Sequence, residues 1–120
     1  MNPMESAVTS CIDDLQAAGM KATANPQRLD LPGAWVTPNM MSYNVLAQGV
    51  CQVTLDVLLI ARGTDFNTDM ADLDKMAMTA ADVLDISDWR ADSVTATNYS
   101  PDALPALVGQ ITYQWKEDQQ

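Results

Sequence analysis

Apolar positions recur every three or four residues at the start of the chain and again past its middle, and every second residue elsewhere. These two periods mark amphipathic helices and strands respectively. Near the start, Met4, Ala7, Val8, Cys11, Ile12 and Leu15 form one stripe. Asn2 suits an N-cap, Pro3 the first helical position, and Gly19 the left-handed residue after a helix end, so a helix is expected from Pro3 into Ala17-Ala18-Gly19. A second helix is expected from about Asn67 or Thr68 to Leu84, on the spacing of Met70, Leu73, Ala77, Ala80 and Leu84. Met76 and Val83 widen its stripe, and Asp69 and Asp72 in its first turns complement the helix dipole.

The clearest strand is Gly49–Ala61, where Cys51, Val53, Leu55, Val57 and Leu59 alternate with Gln52, Thr54, Asp56, Leu58 and Ile60. Its outer face turns from polar to apolar at Leu58 and Ile60, so burial on both faces is expected only towards its end. Arg62-Gly63-Thr64-Asp65 closes it. Ala34–Thr37 reads as a strand that stops at Pro38, and Met20–Thr23 as a short one. Turn-rich stretches occupy Asn25–Arg28 and Leu31–Gly33. Ser93–Tyr99 and Leu107–Trp115 read as the closing strands, with Pro101 and Pro105 in a loop between them. Asn39–Gln48 is too irregular to assign, and the tip and arms of an extended hairpin is one reading of it. The expected fold is α+β: a mixed or antiparallel sheet of about four to five strands with both helices on one face.

Composition narrows the picture. The chain has 120 residues, 48% of them apolar, which suits one domain over residues 1–115 and a polar tail at 116–120. The longest apolar run, Val57–Ala61, is far short of the roughly 20 residues needed to span a bilayer. Met1–Glu5 carries no basic region followed by an apolar stretch, so cytoplasmic synthesis without a signal peptide is expected. Cys11 and Cys51 both fall on apolar faces, which favours buried reduced thiols over a disulfide.

Sixteen acidic residues against six basic ones argue against wrapping DNA, which takes Lys and Arg, although not against a surface that DNA slides past. The absence of histidine removes the usual general base near neutral pH and the commonest metal ligand. There is no Gly-x-Ser-x-Gly elbow, dinucleotide fingerprint or P-loop, and two distant cysteines do not make a zinc site. The only glutamates, Glu5 and Glu117, lie near the termini, and no aspartate pair sits in an apolar setting. Asp65-Phe66-Asn67-Thr68-Asp69 resembles a calcium loop but lacks its glycine and closing glutamate, so helix capping explains it better. The series Asp82, Asp85, Asp88 and Asp92 reads as a solvated surface, with a divalent ion at a subunit boundary as the alternative. No enzyme, metal or cofactor is expected. Apolar side chains in irregular segments remain: Trp35, Met40, Met41, Tyr43, Phe66 and Trp89. They suit either caps on the core or a subunit interface, where methionine and aromatic residues are enriched.

The layout resembles the tail terminator proteins of long, non-contractile-tailed bacteriophages, particularly those of actinobacteria. Four stretches carry the likeness: Met1-Asn2-Pro3 with the helix ending Leu15–Thr23; Asn25-Pro26 through Leu31-Pro32-Gly33-Ala34-Trp35-Val36; Cys51–Ala61 followed by the Asp65–Leu84 helix; and Ser93–Tyr99, Leu104-Pro105-Ala106 and Ile111–Trp115. Together they cover residues 1 to 115, with Pro38–Gly49 departing from the pattern. The resemblance rests on order and spacing.

The resemblance implies a structural virion protein at the head-proximal end of the tail, made in the host bacterium's cytoplasm. It would form a homohexameric ring that caps the tail tube, stops its polymerisation and offers a docking face to the head. Its partners would be copies of itself, the major tail tube protein and the head–tail connector or stopper, with no membrane. DNA would pass through the lumen without specific binding. Trp35, Met40, Met41, Tyr43, Phe66 and Trp89 are then candidate subunit or tube contacts, and Asp65, Asp69 and Asp72 candidate lumen-facing acids, with a role in keeping the subunit soluble as the alternative for the three acids. A head-completion or stopper protein is the nearest alternative, and an acidic DNA-mimicking inhibitor a more distant one.

Overall fold

Helix α1 (Pro3–Ala17) begins where the sequence places it, because the Asn2 side chain satisfies a free amide of its first turn. The Asn2 side chain accepts from the Glu5 amide at 2.8 Å and donates to Glu5 Oε1 at 2.8 Å, which ties the cap to the first turn. At the other end Gly19 takes φ +89°, the Gly19 amide donates to Gln16 O and the Met20 amide to Leu15 O, both at 3.0 Å. This left-handed closure satisfies two carbonyls and turns the chain back towards the core. Ala7, Cys11 and Leu15 are buried, with Met4, Val8 and Ile12 packed beside them. The computed structural model describes residues 2–43, 50–86, 88–95 and 103–116.

Strand β1 is only Ala22–Thr23, and a single 3₁₀ turn follows at Pro26–Arg28, capped by Asn25. Strand β2 (Gly33–Tyr43) then runs straight through Pro38, where the sequence suggested a stop. It pairs with β1 in parallel only at Ala34 and Trp35, and with β3 (Val50–Ile60) antiparallel along its whole length. A proline is tolerated because β1 has already ended, so one edge of β2 has no partner strand there among the described residues. A bulge between Pro38 and Met40 shifts the register and leaves Asn39 unpaired. The irregular Asn39–Tyr43 is thus one arm of a β2–β3 hairpin; residues 44–48 lie outside the described segments.

Helix α2 (Phe66–Val83) starts slightly earlier than expected because Asp65 caps it, accepting from the Thr68 amide at 2.9 Å. Its buried side is Asp69, Leu73, Met76 and Ala80. Met70 and Val83, assigned to the stripe from spacing, are 38% and 39% exposed, since burying Asp69 turns the helix away from Met70.

Strand β4 (Arg90–Thr95) begins three residues before the expected Ser93, and residues 96–99 lie outside the described segments. Strand β5 (Ala103–Lys116) includes Pro105, which the sequence assigned to a loop. Pro105 faces Ala61, just past the end of β3, and accepts from the Ala61 amide at 3.0 Å. Proline forfeits one reciprocal bond there, where β3 is leaving the sheet, so the loss is confined to a single rung.

The strand order is β1-β2-β3-β5-β4, parallel at β1–β2 and antiparallel elsewhere. The fold is therefore α+β, a five-stranded mixed sheet with both helices on one face, as the sequence indicated. The main core lies between helices and sheet, built on Cys51, Val53, Leu55, Val57 and Leu59. A smaller core of Leu29, Ile60, Leu104 and Ala106 sits on the opposite face. This explains why the end of β3 is apolar on both sides. Both cysteines are free and buried. No helix among the described residues is long and apolar enough to cross a membrane.

Candidate functional site

The six candidate contact residues separate into two groups. Met40, Met41, Tyr43 and Phe66 are exposed by 58%, 38%, 66% and 75%. Trp35 and Trp89 are partly buried, packed against the cores, which is the core-capping alternative of their reading. Trp35 packs against the smaller core and its indole Nε1 donates to Ala24 O at 3.3 Å. Trp89 packs on the main core, with its ring over Gly109; a Cβ at that glycine would meet the ring at 2.8 Å. Large indoles at strand ends were here recruited to close the two cores. The sequence passed over Met78, which is 66% exposed on the outer side of α2. Its offset from the buried positions of α2 was the available signal.

The β2 arm groups three of the exposed residues. After the bulge, Met41 pairs with Val53 and Tyr43 with Cys51, so both project on the helix side of the sheet. With Pro3, Met4, Val8 and Pro38 they line a cleft of about 620 Å³ between the start of α1 and the arm. Because β1 ends at Thr23, the β2 edge beside this cleft has no strand partner among the described residues. An apolar cleft beside an open strand edge can take a side chain and a backbone from a partner together.

On the other face the same strands carry a polar ladder. Asp56 accepts from Asn39 Nδ2 at 3.1 Å and from Gln110 Nε2 at 3.0 Å, and the Thr54 and Thr112 hydroxyls lie 3.0 Å apart. The pairing of Thr54 with Thr112 and Asp56 with Gln110 creates this surface, and one-dimensional reading had no means to align those two segments.

The three candidate lumen acids also diverge. Asp65 is fully exposed at the α2 N-cap, and the Thr68 amide and hydroxyl hold its carboxyl below the usual range. Asp72 is partly exposed and paired with Arg62 Nη2 at 3.2 Å. Asp69 is 4% exposed and cannot face a lumen. Its Oδ1 accepts from the Gly63 and Thr64 amides at 3.2 Å and from Thr64 Oγ1 at 3.4 Å. Asp65 and Asp69 are turned to the backbone of their own loop and first turn, the capping arrangement, while Asp72 is turned to Arg62.

Cys11 and Tyr113 meet in the main core. The Tyr113 hydroxyl is buried beside the thiol without a well-formed hydrogen bond. Burial pushes the Cys11 thiol from 9.0 up to about 11, the tyrosine hydroxyl opposing this and Asp14 adding to it. Burial likewise raises Tyr113 above its ordinary range. A thiol held protonated is a poor nucleophile and a core residue. The folded state keeps a proton that the unfolded chain loses, so this contribution to stability is complete below about pH 9 and is lost as pH rises towards 11. Urea unfolding near pH 8 and near pH 11 should show wild type losing about 2 kcal/mol more than Cys11→Ala over that interval. Equal losses would place the alkaline sensitivity elsewhere.

Compared with known proteins, the chain matches no family model and no curated sequence.

Proposed function

We propose that this chain is a structural subunit of a phage tail, the terminator that assembles as a hexameric ring at the head-proximal end of the tail tube. The ring stops tube polymerisation and presents a docking face to the head connector. Support comes from the resemblance in order and spacing over residues 1 to 115, and from the surface that the fold leaves open. The observation that carries the reading is the β2 arm: Met40, Met41 and Tyr43 exposed along a strand edge that has no partner among the described residues, beside an apolar cleft. Such residues on such an edge are characteristic of interfaces. The ring needs two dissimilar contact surfaces and a lumen, and no catalytic group. Six copies multiply a net charge of −10 per chain, so acids such as Asp65 at the lumen would repel passing DNA.

Incubating the purified chain with isolated tail tubes tests the reading directly. The expected result is binding at one tube end and arrest of further elongation. Native mass spectrometry should detect a closed species of about 78 kDa, six times the 13.0 kDa subunit. Tyr43→Ser should weaken tube binding roughly tenfold if the arm is the contact. Binding to the head vertex and not to tubes would favour a head-completion protein. Binding to neither, with tight association to a nucleic-acid enzyme, would overturn the virion reading.

A further inference from the structure

The distribution of cations is unexpected for so acidic a chain. Lys21 lies just before β1, Arg28 just after it, and Lys75 on α2 faces the same groove as Lys21. Arg62 reaches the Asp72 carboxylate of that groove. Four of the six cationic residues therefore gather at the β1 edge of the sheet, where Asp30 and Asp72 are the carboxylates lining the same clefts. The groove holds about 400 Å³, with Met20 and Met76 at its base and Lys21 and Lys75 exposed at its rim.

The opposite edge of the sheet carries the reverse charge. Asp85 and Asp88 line a cleft beside the start of β4 with Arg90, which is loosely paired with Asp92 at 3.8 Å. Asp82 precedes them in the last turn of α2, and all four aspartates are exposed. That corner is also the C-terminal end of α2, the negative end of its dipole, and no basic residue occupies the last turn. Carboxylates are unfavourably placed at that end of a helix. A neighbour's ammonium groups would offset that.

We infer that the groove of Lys21 and Lys75 is a docking site for the acidic corner, Asp82, Asp85 and Asp88, of a second copy of this chain. The two surfaces are complementary in charge and lie at opposite ends of the strand order β1-β2-β3-β5-β4. Contact between them is head-to-tail, each copy giving its β4 edge to the next copy's β1 edge. Repetition of such a contact builds a ring when the rotation closes. The inference deepens the ring reading and rests on it for closure, but the contact itself can fail separately.

Two variants test it, Lys21→Asp/Lys75→Asp and Asp85→Lys/Asp88→Lys, with assembly followed by native mass spectrometry and sedimentation at low salt. Each variant alone presents like charges at both edges and should associate at least roughly tenfold more weakly than wild type. An equimolar mixture restores every junction, so it should assemble as alternating copies in a 1:1 ratio, which also shows that both variants fold. Wild-type association should weaken as salt rises, because the charges are at the surface. Intact homo-oligomers in both variants would overturn the edge assignment and leave the ring standing. A wild-type chain that stays monomeric at low salt would overturn the docking inference, while tube capping continued to test the terminator reading. Loss of tube binding on reversing the lysines, with self-association unchanged, would assign the groove to another protein and overturn it too.

Discussion

Asp69→Ala is expected to lower the unfolding free energy by about 3 kcal/mol, because the carboxylate accepts from two loop amides and a hydroxyl at once. The residue lies on the buried side of α2, 4% exposed, and its Oδ1 holds Gly63 and Thr64 in the turn that carries β3 into the helix. Alanine leaves those amides without the acceptor and puts an apolar methyl where the charge sat near the positive end of the dipole. Asparagine keeps an oxygen acceptor and gives up the charge, so Asp69→Asn should lose only about 1 kcal/mol. Urea unfolding of the three proteins gives the order directly. An alanine variant within about 0.5 kcal/mol of wild type would mean that water serves the loop as well as the carboxylate does. Since Phe66 projects from the first turn after this loop, a loosened turn should also weaken any assembly that uses Phe66.

Gly33→Ala should be as damaging, for a steric reason. A Cβ there would overlap Asp30 O and come within 3.0 Å of Lys21 O, both backbone atoms with no rotamer to change. The next residue, Ala34, donates its amide to that same Lys21 carbonyl at 2.8 Å. Relief of the clash must therefore part β1 from β2 or lift the segment that brings Leu29 over the smaller core. A loss of about 3 kcal/mol is expected, a fall in Tm of roughly 10 °C for a chain of this size. Gly19→Ala is the comparison. That glycine needs its left-handed φ of +89° but has nothing within 4 Å of a Cβ, so its replacement should cost only about 1 kcal/mol. Equal melting of the two variants would show that the close approach at Gly33 relaxes freely.

The surface roles of residues were harder to read than the elements. Met40, Met41 and Tyr43 were singled out for being apolar in an irregular stretch, and they are exposed along the β2 arm. Trp35 and Trp89 had the same local signal yet pack against the cores, because the cluster of Ile60, Leu104 and Ala106 meets Trp35 and Gly109 meets Trp89 from distant parts of the chain. The charged edges could not be seen in one dimension. Lys21 and Lys75 are far apart in sequence and share a groove only because α1 ends against α2.

The sequence by itself determined the helices, the long β3 strand and the α+β class. Periodicity, an N-cap with proline behind it, and a glycine after the last turn are local instructions, which act within a few residues. Tertiary structure decided how the two prolines were used. Pro38 continues β2 because the neighbouring strand has ended, and Pro105 sits within β5 because β3 turns away at Ala61. It also decided that Asp69 points inward and that Asn39 is set aside by a bulge to meet Asp56. A strand's tolerance for proline depends on which edge still has a partner, and a carboxylate's burial on which amides need an acceptor. Both depend on neighbours that only folding supplies.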